Sequence, residues 1–405
     1  MLKSCLIMTP LENDKRRIAE SSINFLSYIN SYLEEKIEFA GADEIKDLPY
    51  QLIFVGSGGT AREFKKIFEI SEGPYILIST PDNNSLAASM EEISYVNDHG
   101  RNGEILHGTA EMIANKIKVL DRVFKTIDKL RHTHFGVLGN PNMLINSEYD
   151  EDLLLKTTGI RTTLIGMDEV KAEIEKKAYE QNQYTEMLLS SVYDKEEIKK
   201  SLYIYGAVKR LIGKYGFDGI ALRCFDLLEP YKTSGCLALA ILNSEGIPAA
   251  CEGDTRSLLS MSILYYLTGE PIFMANPSRI DMEKHEMVFA HCTLPITMVS
   301  RYSLTTHFES GISVAVKGYF DNGDYTLFKC RENMKDYVVQ RAEFIENPND
   351  MALCRSQIKL RVPDCSIYLT NPLSNHQMIA KGDHTEIVNE FFNWIKEINK
   401  EIRRK

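Results

Sequence analysis

The sequence predicts an α/β protein: two doubly wound α/β domains followed by a β-rich, antiparallel, barrel-like C-terminal domain, divided at 1–132, 133–305 and 306–405. Three observations carry that expectation. Short, continuous, β-prone apolar runs alternate with helical patterns in the first segment, as parallel strands buried on both faces require. A fresh strand opens at His134 after a long helix and restarts the alternation. From about residue 310 the pattern changes to strands separated by turn residues, which suits antiparallel pairing.

The elements follow in order. Residues 14–36 place Ile18, Leu26, Ile29 and Leu33 at helical spacing. Gln51–Val55 reads as a buried strand running into Gly56-Ser-Gly-Gly-Thr60 and a helix. Residues 75–78 form a second strand, Asn84-Ser85 stand where a helix cap belongs, and 104–129 read as one long helix. The second unit begins with a strand at 134–139 and another at 162–166. Charged amphipathic helices at 169–190 and 194–214 lead to a strand at 218–223. In the last segment 311–318 and Asp324–Cys330 read as strands, with Asp321-Asn-Gly-Asp324 as a hairpin turn between them. Strands at 335–344 and 356–361 follow. A closing helix at 384–399 carries Ile387, Phe391, Trp394, Ile395 and Ile398 on one face.

Composition narrows the function. The 405 residues hold 47 Lys and Arg against 57 Asp and Glu, a net charge of −10. That sign opposes a general nucleic-acid binder, which needs a cationic surface to displace counterions, and opposes attachment to an anionic membrane. With 44% hydrophobic and 26% charged residues the chain is neither disordered nor fibrous. No apolar run approaches the roughly 18 residues of a membrane helix; Cys236-Leu-Ala-Leu-Ala-Ile-Leu242 is among the longest. The first ten residues are too short and interrupted for a secretory signal. The eight cysteines include no CxxC pair, so a zinc ribbon and a thioredoxin motif are excluded. Reduced thiols in a cytoplasmic protein are the expectation.

The glycine-rich turn at 56–60 is a weak signal. A dinucleotide site needs a third glycine and an acid at the end of the next strand. Here Ala61 and Arg62 stand near the first position and Ser79-Thr80 at the second. A structural tight turn is the simpler reading.

The polar residues that invite chemistry gather from 251 to 309. Cys251-Glu-Gly-Asp254 follows the apolar strand 246–250 and precedes a helix. Carboxylates at the C-terminal end of a strand sit where open α/β sheets bind ligands. Asp254 can cap the helix; Glu252 has no such structural role, and a buried acid is costly without a cation or hydrogen bonds. Asn276 and His291 end two further apolar runs, and His307-Phe-Glu309 and Asn375-His376 add imidazoles and an acid. A lone histidine after an apolar run is more often a satisfied core residue. Glu with His suits a divalent ion such as Mn²⁺ with open positions for a substrate's hydroxyls.

At these residues the sequence resembles the L-fucose isomerase and L-arabinose isomerase superfamily, in its shorter fucose isomerase-like branch. The anchors are Asn84-Ser-Leu-Ala-Ala88, Leu222-Arg-Cys-Phe225, Ala250-Cys-Glu-Gly-Asp254, His291-Cys-Thr-Leu-Pro295, His307-Phe-Glu-Ser-Gly311, and Asn375-His376 with Gly382-Asp383. The resemblance implies two Rossmann-like domains that bind no nucleotide and a β-rich C-terminal domain. It also implies an aldose–ketose isomerase with Mn²⁺ in its site and a homo-oligomer, dimer to hexamer. Glu252 matches the first acidic metal ligand, His376 the C-terminal ligand, and His291 the additional imidazole of the arabinose branch. Where the family carries its second acid this sequence has Asn276.

That departure matters because the two acids are thought to shuttle a proton between C1 and C2 of a sugar through a cis-enediol. An amide oxygen can still ligate a metal, but it cannot take and return a proton. Glu252 and Asn276 are therefore the catalytic candidates, and Glu252, Asn276 and His376 the metal ligands. Asp254, Arg256, His291, His307, Glu309 and Asn375 are the candidates for substrate contact, with Asp254, Glu309, a water or the more distant Asp281 as helpers in proton transfer. The alternative is a catalytically silent sugar-binding or regulatory relative that lost proton transfer through Asn276. Arg223, Arg256, Arg301 and Arg355 stand out among mostly lysine cations. One of them in the site could pair with a phosphate, carboxylate or sulfonate, although any one is more simply read as a structural ion pair.

Overall fold

The computed structural model describes residues 1–9, 12–140 and 144–404. The chain divides into two units, Met1–Asp128 with Asn393–Lys405, and Lys129–Phe392. Among the described residues no helix is long and apolar enough to cross a membrane.

The first unit is built on β1 (Leu2–Ile7), β2 (Ile37–Phe39), β3 (Gln51–Val55), β4 (Tyr75–Ser79) and β5 (Gly103–Leu106), a parallel sheet in the order β2-β1-β3-β4-β5. β3 and β4 are buried along their whole lengths, which is why they read as unbroken apolar runs. Helix Ala61–Ile70 lays Phe64, Ile67 and Phe68 on the sheet, and Ile53, Val55, Tyr75 and Leu77 share that core. In the turn before it, a Cβ on Gly56 would stand 2.8 Å from Ser22 Oγ, and Gly59 has φ +75°. Both glycines have steric reasons to be there.

Two expectations need correction in this unit. The stretch 104–129 is not all helix: β5 occupies its start, and the helix runs Ala110–His132. Four residues pairing with β4 are too few for periodicity to separate from a helix. Asn84 does precede a helix, Ser85–Asp98, but makes no side-chain cap; its backbone is left-handed, φ +57°. Ser85 instead takes the Thr80 amide at 2.9 Å and donates to the Val55 carbonyl. The chain's last stretch belongs here too, with Trp394 edge-on against Phe124 at 4.9 Å.

The second unit opens with β6 (His134–Leu138), β7 (Arg161–Ile165), β8 (Gly219–Leu222) and β9 (Ala249–Ala250), again parallel, in the order β7-β6-β8-β9. The apolar run beginning at Cys236 is a helix, Cys236–Ser244, buried on all but its last residue. The helix expected over 169–190 is two, Met167–Ile174 and Gln183–Leu189. The same unit carries β10 (Phe273–Asp281), β11 (Glu286–His291), β12 (Arg301–Thr305), β13 (Ala315–Tyr319), β14 (Asp324–Cys330), β15 (Tyr337–Glu346), β16 (Ser356–Arg361) and β17 (Gln377–Lys381). Six of these close an antiparallel barrel, β10-β11-β16-β15-β14-β17, and β12 pairs with β13 apart from it. The barrel's first two strands thus precede residue 306.

The hairpin expected at 321–324 does not form. β13 pairs with β12, whereas β14 pairs with β15 and β17. Turn chemistry fixes where the chain reverses but not which neighbour a strand finds, and barrel closure leaves β14 no free edge.

Candidate metal centre and active site

β9 ends at Ala250, and the next four residues turn into helix Thr255–Thr268. Glu252 and Gly253 are both left-handed, φ +61° and +66°. Glycine accepts this freely, but a residue with a Cβ loses about 1 kcal/mol or more. Such strained conformations in non-glycine residues cluster at active sites and ligand clamps. The loop is fixed by Gly253 N donating to Leu222 O at 3.0 Å, and by Asp254, which caps the helix by accepting from Ser257 N at 2.8 Å.

The turn brings Glu252 between two imidazoles. Its Oε1 lies 3.5 Å from His291 Nε2, and its Oε2 lies 3.7 Å from His376 Nε2. The three donor atoms fall within 4.8 Å of one another. β11 delivers His291 at its last residue, and His376 immediately precedes β17. Each ring is held by its other nitrogen: His376 Nδ1 by Asp254 Oδ2 at 2.8 Å, and His291 Nδ1 by Thr293 Oγ1 at 3.0 Å. His376 Nε2 is buried and has no hydrogen-bond partner. A buried polar atom of that kind calls for an explanation, and a divalent ion shared with Glu252 and His291 supplies one. An imidazole whose far nitrogen is bound to a carboxylate is the usual arrangement of a metal ligand.

The electrostatics agree. Burial opposes ionisation of Glu252, but the neighbouring imidazoles of His291 and His376 outweigh it and hold the carboxyl well below its ordinary range. Asp254, wholly buried, is brought down to about 2 against its own desolvation, by the charge of Lys329 and by His376. Burial alone would lower His376, yet Asp254 and Glu252 raise it. The pair of carboxylates therefore attracts a positive charge to this point, which either a proton or a metal cation satisfies.

Behind Asp254 stands Lys329, 1% exposed, its Nζ 4.0 Å from Asp254 Oδ2 and donating to Ser257 Oγ at 2.8 Å. Sequence reasoning passed over Lys329, Ser257 and Thr293. The available signal was a lysine inside the otherwise apolar part of β14, where a charge is buried only with a partner.

The other candidates separate into two groups. His307 Nε2 is 3.6 Å from Glu309 Oε2, and its Nδ1 meets Ser310 Oγ at 2.9 Å. Burial, and then the charge of Glu252, push the Glu309 carboxyl upward; burial and His291 push His307 downward. Asn276 accepts at Oδ1 from Asn375 Nδ2, 3.1 Å away, on the wall of a cleft that also includes Ile145, Pro277 and Leu369. Arg256 is committed to a fork with Glu332, at 3.0 and 3.2 Å. Asp254 faces His376 and the helix. Asp281 turns the chain between β10 and β11, accepting from the amides of Glu283 and Lys284. Five strand residues, about 16 Å, separate it from Asn276, so it does not reach back to the cluster.

No family model matches the chain. Two curated relatives do. A sulfoquinovose isomerase of Alkalicoccus urumqiensis is 21% identical over 295 residues, 69% of this chain and 67% of the relative. A sulfoquinovose isomerase of Clostridium sp. (strain MSTE9) is 30% identical over 129 residues, 32% of this chain and 28% of the relative. The chain is similar to sulfoquinovose isomerases. This similarity and the resemblance to L-fucose and L-arabinose isomerases agree at the level of sugar isomerases.

Proposed function

We propose that the protein is a divalent-metal-dependent aldose–ketose isomerase acting on a sugar with an anionic substituent, a sulfonated aldose as for its relatives. The observation that carries this reading is the cluster of Glu252, His291 and His376, with a buried, partnerless Nε2 on His376. These residues fit a divalent ion of the Mn²⁺ kind, which when bound supplies a Lewis acid for neighbouring sugar oxygens.

The chain's own residues then do the proton work. Converting an aldose to a ketose moves a proton from C2 to C1 and a second from O2 to O1. Glu252, ionised and held between two imidazoles, takes the C2 proton and returns it to C1 through a cis-enediol. Asn276 cannot exchange a proton. Of the remaining helpers, Asp254 is buried behind His376, which leaves Glu309. Its carboxyl is raised by burial and by the charge of Glu252, and it is the acid assigned to proton exchange at the sugar oxygens. The silent sugar binder rests on Asn276, and Glu309 as a second proton-exchanging group is what favours the isomerase over it.

The test is two measurements on one preparation: bound metal per chain after dialysis against Mn²⁺, and conversion of a 6-sulfonated aldohexose followed by NMR. About one ion per chain and turnover abolished in Glu252→Gln are expected. No retained ion, or undiminished turnover in Glu252→Gln, would overturn the reading.

A further inference from the structure

Of the four arginines that stand out in the sequence, three have evident structural occupations. Arg256 is forked onto Glu332. Arg223 Nε donates to Asp226 at 2.9 Å and its Nη1 to the Asn140 carbonyl. Arg301 is exposed and stacks over the Tyr319 ring, 4.2 Å from its centroid, on the sheet of β12 and β13. Arg355 is different. It is half-buried, and its Nε donates to Thr306 O at 2.9 Å and its Nη2 to Thr306 Oγ1 at 3.1 Å. Its guanidinium carbon lies 5.4 Å from the centroid of Phe308.

Both anchors are neutral, and among the described residues no carboxylate comes within ion-pair distance of Arg355. Thr306 and Phe308 are the chain neighbours of His307, so the guanidinium is held against the segment that carries the imidazole contacting Glu309. A guanidinium carries five N–H donors. Thr306 occupies two on one edge, which leaves the end-on pair, Nη1 and the second Nη2 hydrogen, without a hydrogen-bond acceptor among the described residues. That pair is the geometry that binds two oxygens of one oxyanion. A half-buried cation without a counterion is unfavourable in the empty protein, and an anionic ligand removes the deficit.

We infer that Arg355, aligned by Thr306 and Phe308, is the residue that recognises the anionic group of the sugar, a sulfonate. The inference rests on the isomerase reading and goes beyond it by naming the specificity determinant. Arg355 lies close enough to His307 and Tyr193 for its charge to act on both. A sulfonate presents three equivalent oxygens and keeps its charge at every physiological pH, so a fixed fork suits it better than a mobile lysine.

The test uses the metal-loaded full chain, Arg355→Met and Arg355→Lys, with a 6-sulfonated aldohexose and its neutral 6-hydroxy parent. Losing a charge-assisted bidentate contact should raise KM for the sulfonated sugar roughly 10- to 100-fold in Arg355→Met. The neutral parent's KM and the kcat for both sugars should change little. Arg355→Lys should recover only part of the loss, and bound metal and melting temperature should match the natural protein. An equal loss on both sugars, or an unchanged KM for the sulfonated one, overturns the inference. Should the natural protein convert neither sugar, the isomerase reading fails. Arg355 is then judged by calorimetric binding of the sulfonated sugar, and equal binding by Arg355→Met sinks it.

Discussion

His376 Nδ1 and Asp254 Oδ2 stand 2.8 Å apart with both side chains fully buried, and this bond decides which face His376 shows to Glu252. Asp254 also caps helix Thr255–Thr268 and lies beside Lys329. One carboxylate thus ties the start of a helix, the head of β17 and a strand of the barrel to the orientation of the imidazole proposed as a metal ligand. A change made there reads out in both stability and metal affinity.

The stability arm concerns Lys329. Its buried charge has Asp254 as its carboxylate neighbour, and removing one partner of a buried pair leaves the other uncompensated, at a cost of about 3 kcal/mol or more. Asp254→Asn keeps a good helix cap but loses the charge, and should lower stability by that order. Asp254→Asn combined with Lys329→Met should recover most of the loss, because no buried charge is then stranded. Urea unfolding of both variants checks this; additive losses would mean that the two groups do not interact.

Metal affinity gives a second prediction. Groups that only orient a metal ligand are worth about 10- to 100-fold in affinity, and a ligand itself about 100-fold or more. His291→Ala should therefore weaken Mn²⁺ binding by the larger factor, whereas Thr293→Val, which frees the far nitrogen of His291, should show the smaller one. Asn276→Asp adds a negative charge next to Asn375 and should tighten binding. Competition with a calibrated chelator ranks the four proteins, and His291→Ala binding as tightly as the natural chain would remove His291 from the ligand set.

The parallel strands were legible because burial on both faces leaves no polar residue to interrupt them, as in β3 and β4. The pairing of β13 was not legible, since Asp321-Asn-Gly-Asp324 advertises a reversal and says nothing about partners. At the site, Glu252 was conspicuous as an acid with no structural role. Its positive φ was not, because a left-handed glutamate leaves no mark in composition. Lys329 escaped notice because its importance lies in a contact across the fold: it reaches Ser257 from a strand 72 residues away. Pattern reading sees neighbours in sequence, and positioning residues are rarely that.

Glu92 sets a pH dependence in the first unit. Burial, opposed by the Thr60 hydroxyl and reinforced by Glu91, raises its carboxyl from an ordinary 4.5 to about 7. Between those values the folded chain keeps a proton that the unfolded chain releases, so stability falls as pH rises from about 4.5 to 7 and the penalty stays constant above. Glu92→Gln cannot ionise. It should match the natural protein near pH 4 and exceed it by about 3 kcal/mol at most near pH 8. Urea midpoints that differ equally at both pH values would show that Glu92 does not titrate in this way.

Two glycines of helix Lys195–Tyr215 should respond in opposite directions to the same change. In an exposed helix interior, Gly→Ala stabilises by about 1 kcal/mol through backbone entropy. Nothing stands within 4 Å of a Cβ on Gly213, so Gly213→Ala should realise most of that gain. A Cβ on Gly206 would fall 2.1 Å from the Ala178 carbonyl oxygen and 2.7 Å from Tyr179 Cα. Both are backbone atoms, which cannot rotate away as a side-chain tip could, so the segment at 178–179 must shift. Overpacking of that kind costs about 1–3 kcal/mol, enough to reverse the helical gain. Chemical denaturation of the two variants beside the natural protein reads the sign directly. A stabilised Gly206→Ala would mean that the 178–179 segment yields, and that the close approach of this helix is not what holds it in place.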